Sequence, residues 1–318
     1  MSIKTLKRFL GKKKKGMLLF FHYAHCFSVK QPKTKQIVVC FDGLFPHGGL
    51  VDRLKGIISC YQIARALGYD FKILFDNPFE LSSFLEPNSI DWTFKRSNIL
   101  WHPTKTKCLY LMNDFSANPI QLIKKSSATT FFIYTNIDYS KTIHPNLSQK
   151  DLEKNWRISF NELFKKSKRL ETKLNAISTE PFIAFHTRFT SLMGDFDDST
   201  TKILPARELE VLRKEVVRVI NRIKNEKQQN AYLFSDSINF INYAKKLTDV
   251  NTIEGNPFHM DNFKNTKATD GHLKTMIDFF MISKSEKVYF INVKPMYKSS
   301  FSKYAAIIGN TSFERLEA

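Results

Sequence analysis

One short stretch of the chain has the makings of an anion clamp. His186, Thr187 and Arg188 end an apolar run that begins at Phe182. The arginine fork matches two oxygens of a diphosphate and keeps its charge at any working pH. An arginine just past a buried strand is costly without a partner, which gives Arg188 a binding role. His186 reads either as a neighbour of that ligand or as a satisfied core imidazole. Gly194-Asp195-Phe196-Asp197-Asp198 follows closely. Its carboxylates Asp195 and Asp197 suit a general base, or equally a solvated turn.

Three other places offer polar groups. Gly48-Gly49-Leu50-Val51-Asp52-Arg53 lies between a strand and a helix. Its glycines allow close backbone approach and the helix start attracts anions, although neither the dinucleotide fingerprint nor the P-loop pattern is present. The bland alternative is a simple turn with Arg53 on the surface. Ser235-Asp236-Ser237 ends a later strand, and Ser299-Ser300-Phe301-Ser302 opens the last helix. Serine hydroxyls and free amides at a helix start form a phosphate cradle, or an ordinary N-cap. Asp278 falls among apolar helix positions and needs hydrogen-bond donors. A guanine edge would supply them, and so would a neighbouring lysine.

Alternating strands and helices must hold these groups. Gln36–Asp42 reads as a buried strand, Leu50–Leu67 as a helix stopped by Gly68, and Tyr69–Phe75 as a second strand. Together they form a βαβ unit with parallel strands and a right-handed connection. Cys108–Met112 and Thr130–Thr135 look like strands and Leu147–Lys165 like a helix. Lys165–Glu180 is polar and basic and reads as a crossing between domains. From Phe182 the alternation resumes, with strands at Phe182–His186, Ala231–Phe234 and Lys287–Ile291. Helices are expected at Arg207–Asn225, Ile238–Leu247, Lys274–Ile282 and Phe301–Ile308. The expected architecture is α/β, with two Rossmann-like domains facing a central cleft. Its parts are an N-terminal segment (1–35), an acceptor-side domain (36–165) and a nucleotide-binding domain (166–318).

Composition narrows the classes. The 318 residues include 29 Phe and 11 Tyr, enough apolar surface to exclude general disorder. No apolar run reaches the roughly 20 residues of a spanning helix. Four scattered cysteines show no metal-ligand spacing and fit a reducing compartment. The net charge of +19 asks for an anionic partner. Nucleic acid is disfavoured, because no helix-turn-helix, finger or RNP pattern stands out. Seven of the first fifteen residues are basic and none is acidic. The apolar stretch Met17–Val29 follows them, interrupted by His22 and His25 and lacking a cleavage site. It reads as a segment lying on an anionic membrane or as a solvated tail.

The spaced motifs GGLVDRLKGI, FHTRF, SDS, DFFMISKSEKVYF and SSFSKYAAIIG together resemble the GT-B fucosyltransferase superfamily, over roughly residues 36–312. DNPFELSSFLEPNSIDW and FHTRFTSLMGDFDD look most like its bacterial members. The resemblance implies a metal-independent, inverting glycosyltransferase that uses GDP-fucose and needs no cofactor. It implies that Arg188 holds the diphosphate and that His186 lies beside the nucleotide. It places Asp278 on guanine and Ser299, Ser300 and Ser302 on phosphate, with Asp236 also on the donor side. Gly48, Gly49 and Arg53 would face donor and acceptor from the other domain. Many members carry a second arginine and an aspartate after the H-x-R motif, where this chain has Phe189 and Thr190. The base is therefore sought at Asp195, Asp197 or Asp52. No metal-binding DxD stands in a suitable place, the nearest text being Asp197-Asp198. The implied partners are a nucleotide-sugar donor, a glycan acceptor and an anionic membrane surface, without nucleic acid. A cytoplasmic location, peripheral on the membrane, and a part in surface polysaccharide or lipopolysaccharide synthesis would follow. Another GDP- or UDP-sugar donor, or a relative that only binds glycan, are the alternatives.

Overall fold

The structure, a computed structural model, describes residues 3–177, 180–197, 201–261 and 269–317. The chain divides into two compact units, residues 1–81 with 87–165, and residues 82–86 with 166–318.

The first unit is built on four parallel strands, β1 (Gln36–Phe41), β2 (Asp70–Phe75), β4 (Thr106–Tyr110) and β5 (Thr130–Tyr134), in the order β2-β1-β5-β4. The short strand β3 (Leu85–Pro87) precedes β4 in the chain. Ile37, Val38, Val39, Cys40 and Phe41 are all buried, as in a central strand covered on both faces. Between β1 and β2 runs α2 (Leu50–Leu67). It ends where Gly68 turns left-handed (φ 66°) and returns its N–H to Ala64 and Arg65 carbonyls. Gly56 lets this helix close on the sheet, because a Cβ there would sit 2.3 Å from the Thr135 carbonyl oxygen. Helices α3 (Pro119–Lys124), α4 (Ser140–Ile143) and α5 (Gln149–Leu163) complete the unit with β6 (Phe164–Lys166) at its end.

The N-terminal segment is neither tail nor loop. It forms α1 (Ile3–Ala24), and Leu19 and Tyr23 are buried in the first unit's core. Tyr23 stacks on Phe132 with ring centroids 4.6 Å apart.

The second unit repeats the plan with β7 (Phe182–Thr187), β8 (Asn230–Ser235), β9 (Lys287–Asn292) and β10 (Ser312–Glu317), parallel and in the order β10-β9-β7-β8. Helix α7 (Ala206–Lys227) joins β7 to β8 and buries Leu212, Val216, Ile220 and Ile223 on one stripe. Helices α8 (Ile238–Lys245), α9 (Thr269–Lys284) and α10 (Phe301–Gly309) follow the later strands in sequence or lead into them. The stretch Lys165–Glu180, expected as a plain crossing, contains α6 (Lys168–Asn175). Ser167 caps it by accepting the Leu170 N–H, and Leu170 and Leu174 bury one side four residues apart.

In each sheet the first strand of the unit lies inside, and the connections leave it in opposite directions. That creates a switch point, between β1 and β5 in one unit and between β7 and β9 in the other. Ligands of open α/β sheets bind outside the carboxyl ends of strands at such points.

Candidate functional site

The β7–β9 switch point gathers most of the residues singled out from sequence. His186 is the next-to-last residue of β7, 5% exposed, and its Nδ1 lies 2.9 Å from Ser302 Oγ. Its ring lies between Phe290 and Phe301, with centroids at 5.3 and 5.5 Å. Burial, and secondarily the charge of Arg188, pushes the imidazole down to about 3, so it is neutral at ordinary pH.

Arg188 follows the strand. Its Nη1 is 3.3 Å from Asp236 Oδ2, and its guanidinium covers the Phe196 ring at 4.6 Å. Its carbonyl accepts the Tyr297 N–H at 3.2 Å, which ties the loop before α10 to the clamp. Asn292, at the end of β9, donates from Nδ2 to the Met296 carbonyl at 3.2 Å and holds the same loop. Sequence reading passed over Asn292. Its signal is a lone amide closing the apolar run of β9.

Asp236, expected to touch the donor, does a different job. Its two oxygens accept the Phe189 and Thr190 N–H groups at 2.8 and 2.7 Å. Thr190 sits at φ 57°, where a β-branched residue is strained. Asp236 thus pins an unfavourable turn and aims Arg188. Burial raises its carboxyl above the usual range, against the lowering effect of Arg188 and the two N–H groups. The structure thus shows Asp236, expected on the donor side, paired with Arg188 and bonded to the Phe189 and Thr190 N–H groups.

The serine cluster divides by role. Ser299 accepts the Phe301 N–H at 3.1 Å, and Ser302 is fully buried against His186. Ser300 is the half-buried N-cap of α10, whose side chain makes no capping bond to the helix. Ser302, expected on phosphate, lies with its hydroxyl against the His186 imidazole. Asp278 is buried, and both of its oxygens accept from Lys274 Nζ at 2.6 Å. The neighbouring lysine is the donor found here. Burial raises the Asp278 carboxyl, and Lys274 works against that.

Of the candidate bases, Asp195 accepts from Ser237 Oγ at 3.0 Å and from the Asn239 N–H at 2.7 Å. It thereby extends the cap that Ser237 places on α8. Asp197 is exposed, and Asp198 lies outside the described residues. Asp52 stands in the first turn of α2 with its Oδ1 3.1 Å from Lys55 Nζ.

The glycine loop belongs to the first unit. Gly48 adopts φ 85°, and a Cβ there would lie 2.5 Å from Asp52 Oδ2. Gly49 is the N-cap of α2. Arg53, expected to face the ligand, is 1% exposed. It donates to the Gly48 and Asn77 carbonyls at 3.3 and 3.1 Å and lies over the Phe41 and Phe75 rings. It shapes the loop from within.

The β1–β5 switch point holds a network that sequence reading missed. Asp42 accepts from Tyr134 Oη at 2.8 Å, from the Leu44 N–H at 3.1 Å, and meets His22 Nε2 at 3.1 Å. Burial would raise its carboxyl, but these bonds hold it below the usual range. His47 stacks over Tyr134 with centroids 5.9 Å apart. Burial first, and Arg53 second, push its imidazole down to about 3. Among the described residues, no group of three or more His, Cys, Asp or Glu side chains is placed to hold a metal ion.

No family model matches the chain. No curated protein matches it in sequence. Solved structures do. The chain is similar to a NodZ alpha-1,6-fucosyltransferase soaked with GDP-fucose, at 16% identity over 87% of this chain and 93% of that one, with a TM-score of 0.55. The same enzyme co-crystallised with GDP gives 15% identity, 86% and 92% coverage and a TM-score of 0.55. A mutant of Arabidopsis thaliana FUT1 in complex with GDP gives 11% identity, 91% and 72% coverage and a TM-score of 0.56. At these identities the likeness is one of fold. The chain has the α/β, GT-B-like fold, with a parallel Rossmann-like sheet in each of its two units.

Proposed function

We propose that the second unit binds a nucleoside-diphosphate sugar, GDP-fucose, and that the protein is a glycosyltransferase moving fucose onto a glycan hydroxyl. The observation that carries this reading is the aimed guanidinium of Arg188, pinned by Asp236 at the switch point and tied to the loop that opens α10. An arginine and a helix N-terminus on one loop system suit the two phosphates of a nucleotide sugar. The similar structures were solved with GDP-fucose or GDP, which supports the choice of donor.

In the reaction the acceptor oxygen bonds to the anomeric carbon as the bond from that carbon to the phosphate oxygen breaks. Negative charge grows on the departing diphosphate. Arg188 and the amides of the first turn of α10 stabilise it more strongly in the transition state than in the ground state. These groups do the neutralising work that a metal does in other transferases. His186, neutral and clamped by Ser302, packs beside the nucleotide. The exposed Asp197 takes the acceptor proton. Attack opposite the leaving group inverts the anomeric centre. The acceptor class we assign is a cell-surface polysaccharide or lipopolysaccharide, which suits a chain carrying +19.

A second donor, another nucleotide sugar, is favoured by one observation. Both oxygens of Asp278, the guanine reader in this scheme, are on Lys274. Single-turnover assays with GDP-fucose, UDP-sugars and an acceptor panel test both readings. Transfer from GDP-fucose that disappears in Arg188→Ala is the expected result, and unchanged turnover in that variant overturns the assignment.

A further inference from the structure

We infer that α1 carries a membrane-docking face and holds the first unit against an anionic lipid surface. This goes beyond the proposed reaction and does not depend on it. The helix has two distinct stripes. Leu19 and Tyr23 are fully buried in the core, and Lys15 lies over the Phe45 and Tyr110 rings. At 100° per residue the opposite stripe runs through Lys14, Met17, Leu18 and Phe21, roughly a third of a turn round the helix. Met17, Leu18 and Phe21 are 62%, 44% and 67% exposed. Large apolar side chains side by side on a fixed helix are costly in water and mark a contact surface.

The occupant follows from charge. Seven basic residues stand in the first fifteen positions, with no acid, directly before the apolar stripe. Lys14 on the Met-Leu-Phe stripe, with a basic run preceding it in the sequence, matches the headgroup and acyl boundary of an anionic bilayer, where lysines meet phosphates and the apolar side chains insert. No helix of the described residues is long and apolar enough to cross a membrane, so α1 lies along the surface. Tyr23 anchors it, with its hydroxyl bonded to that of Tyr134 and its ring stacked on Phe132, so docking would fix the whole first unit.

Co-sedimentation of the full chain with lipid vesicles tests this. Vesicles with about one third phosphatidylglycerol should hold at least about tenfold more protein than pure phosphatidylcholine. About 0.5 M salt should weaken that binding. The triple variant Met17→Ser, Leu18→Ser, Phe21→Ser should lose about tenfold in partitioning, with an unchanged melting temperature because all three side chains are exposed. Lys12→Glu with Lys13→Glu and Lys14→Glu should lose a similar amount. Full binding by the serine variant would overturn the inserted face and leave only diffuse charge attraction. Absence of vesicle binding would overturn the proposal outright. A concentration-dependent dimer in sedimentation, lost in the serine variant, would assign the face to a second copy of the chain instead.

Discussion

The two units build the same kind of crevice and fill it with opposite chemistry. At the β1–β5 switch point stand a carboxylate, phenols and imidazoles, namely Asp42, Tyr134, Tyr23, His22 and His47, and α1 supplies two of them. The arginines nearby are engaged with the protein, Arg53 on carbonyls and Arg96 on the Asp42 carbonyl and the Asp76 carboxylate. At the β7–β9 switch point Arg188 pairs with the Asp236 carboxylate, and its carbonyl holds the loop that opens α10. A shared topology sets where a ligand can lie. The residues that end the strands decide whether an anion is welcome there.

That contrast breaks first at Arg188. Arg188→Ala should lower kcat/KM by about a hundredfold or more, the usual loss when a transition-state charge partner is removed. Arg188→Lys should recover only part of it, because a point charge replaces a fork. Asp236→Asn comes next, and should cost about tenfold in turnover together with about 1–3 kcal/mol of stability, by loosening the Thr190 turn and the aim of Arg188. Assay and thermal melts of the same samples separate the two effects. Asp42→Asn is the matched change in the other crevice. It should destabilise by about 1–3 kcal/mol and leave nucleotide affinity untouched. Loss of GDP affinity in Asp42→Asn would erase the division of labour.

Acid sharpens the comparison differently. His47 and His186, one in each crevice, are both held at about 3 by burial, below the ordinary 6.5. The unfolded chain therefore binds protons that the folded chain refuses. Stability should fall as pH drops from about 6.5 towards about 3. Denaturant titrations across that window should show the slope, and His186→Asn should flatten part of it. The smallest expected effect is Gly48→Ala, about 1–2 kcal/mol from the left-handed backbone and the contact with Asp52, read by melting temperature.

Much of this plan is legible in the sequence, for reasons that separate the two crevices again. The central strands are β-branched runs buried on both faces, and helices such as α2 and α7 repeat apolar residues at helical spacing, so periodicity finds them. Strand β10 escaped, because Ser312–Glu317 is a charged and mostly exposed edge. Helix α1 escaped because basic residues crowd the sequence of its first half, while Leu19 and Tyr23, which insert into the core, come near its end. The position of His186 and Arg188 at the end of an apolar run could be read from sequence. The contacts of Asp236 and Ser302 could not, since partners 47 and 116 residues away decide whether a polar group faces a ligand or braces a loop, and those of Arg53 depend on how the Gly48 and Asn77 carbonyls fold round it. The Asp42 network was invisible for the same reason, because its partners come from α1 and β5.

On the proposed reading, the β7–β9 crevice binds a guanosine diphosphate through fixed cationic and amide groups. Calorimetric titration of the intact chain with GDP, UDP and ADP, each with and without EDTA, tests it most directly. Selective GDP binding that survives EDTA and weakens at least about tenfold in Arg188→Ala is the expected result. Equal affinity for all three nucleotides, dependence on a metal, or undiminished GDP binding in the variant would contradict it.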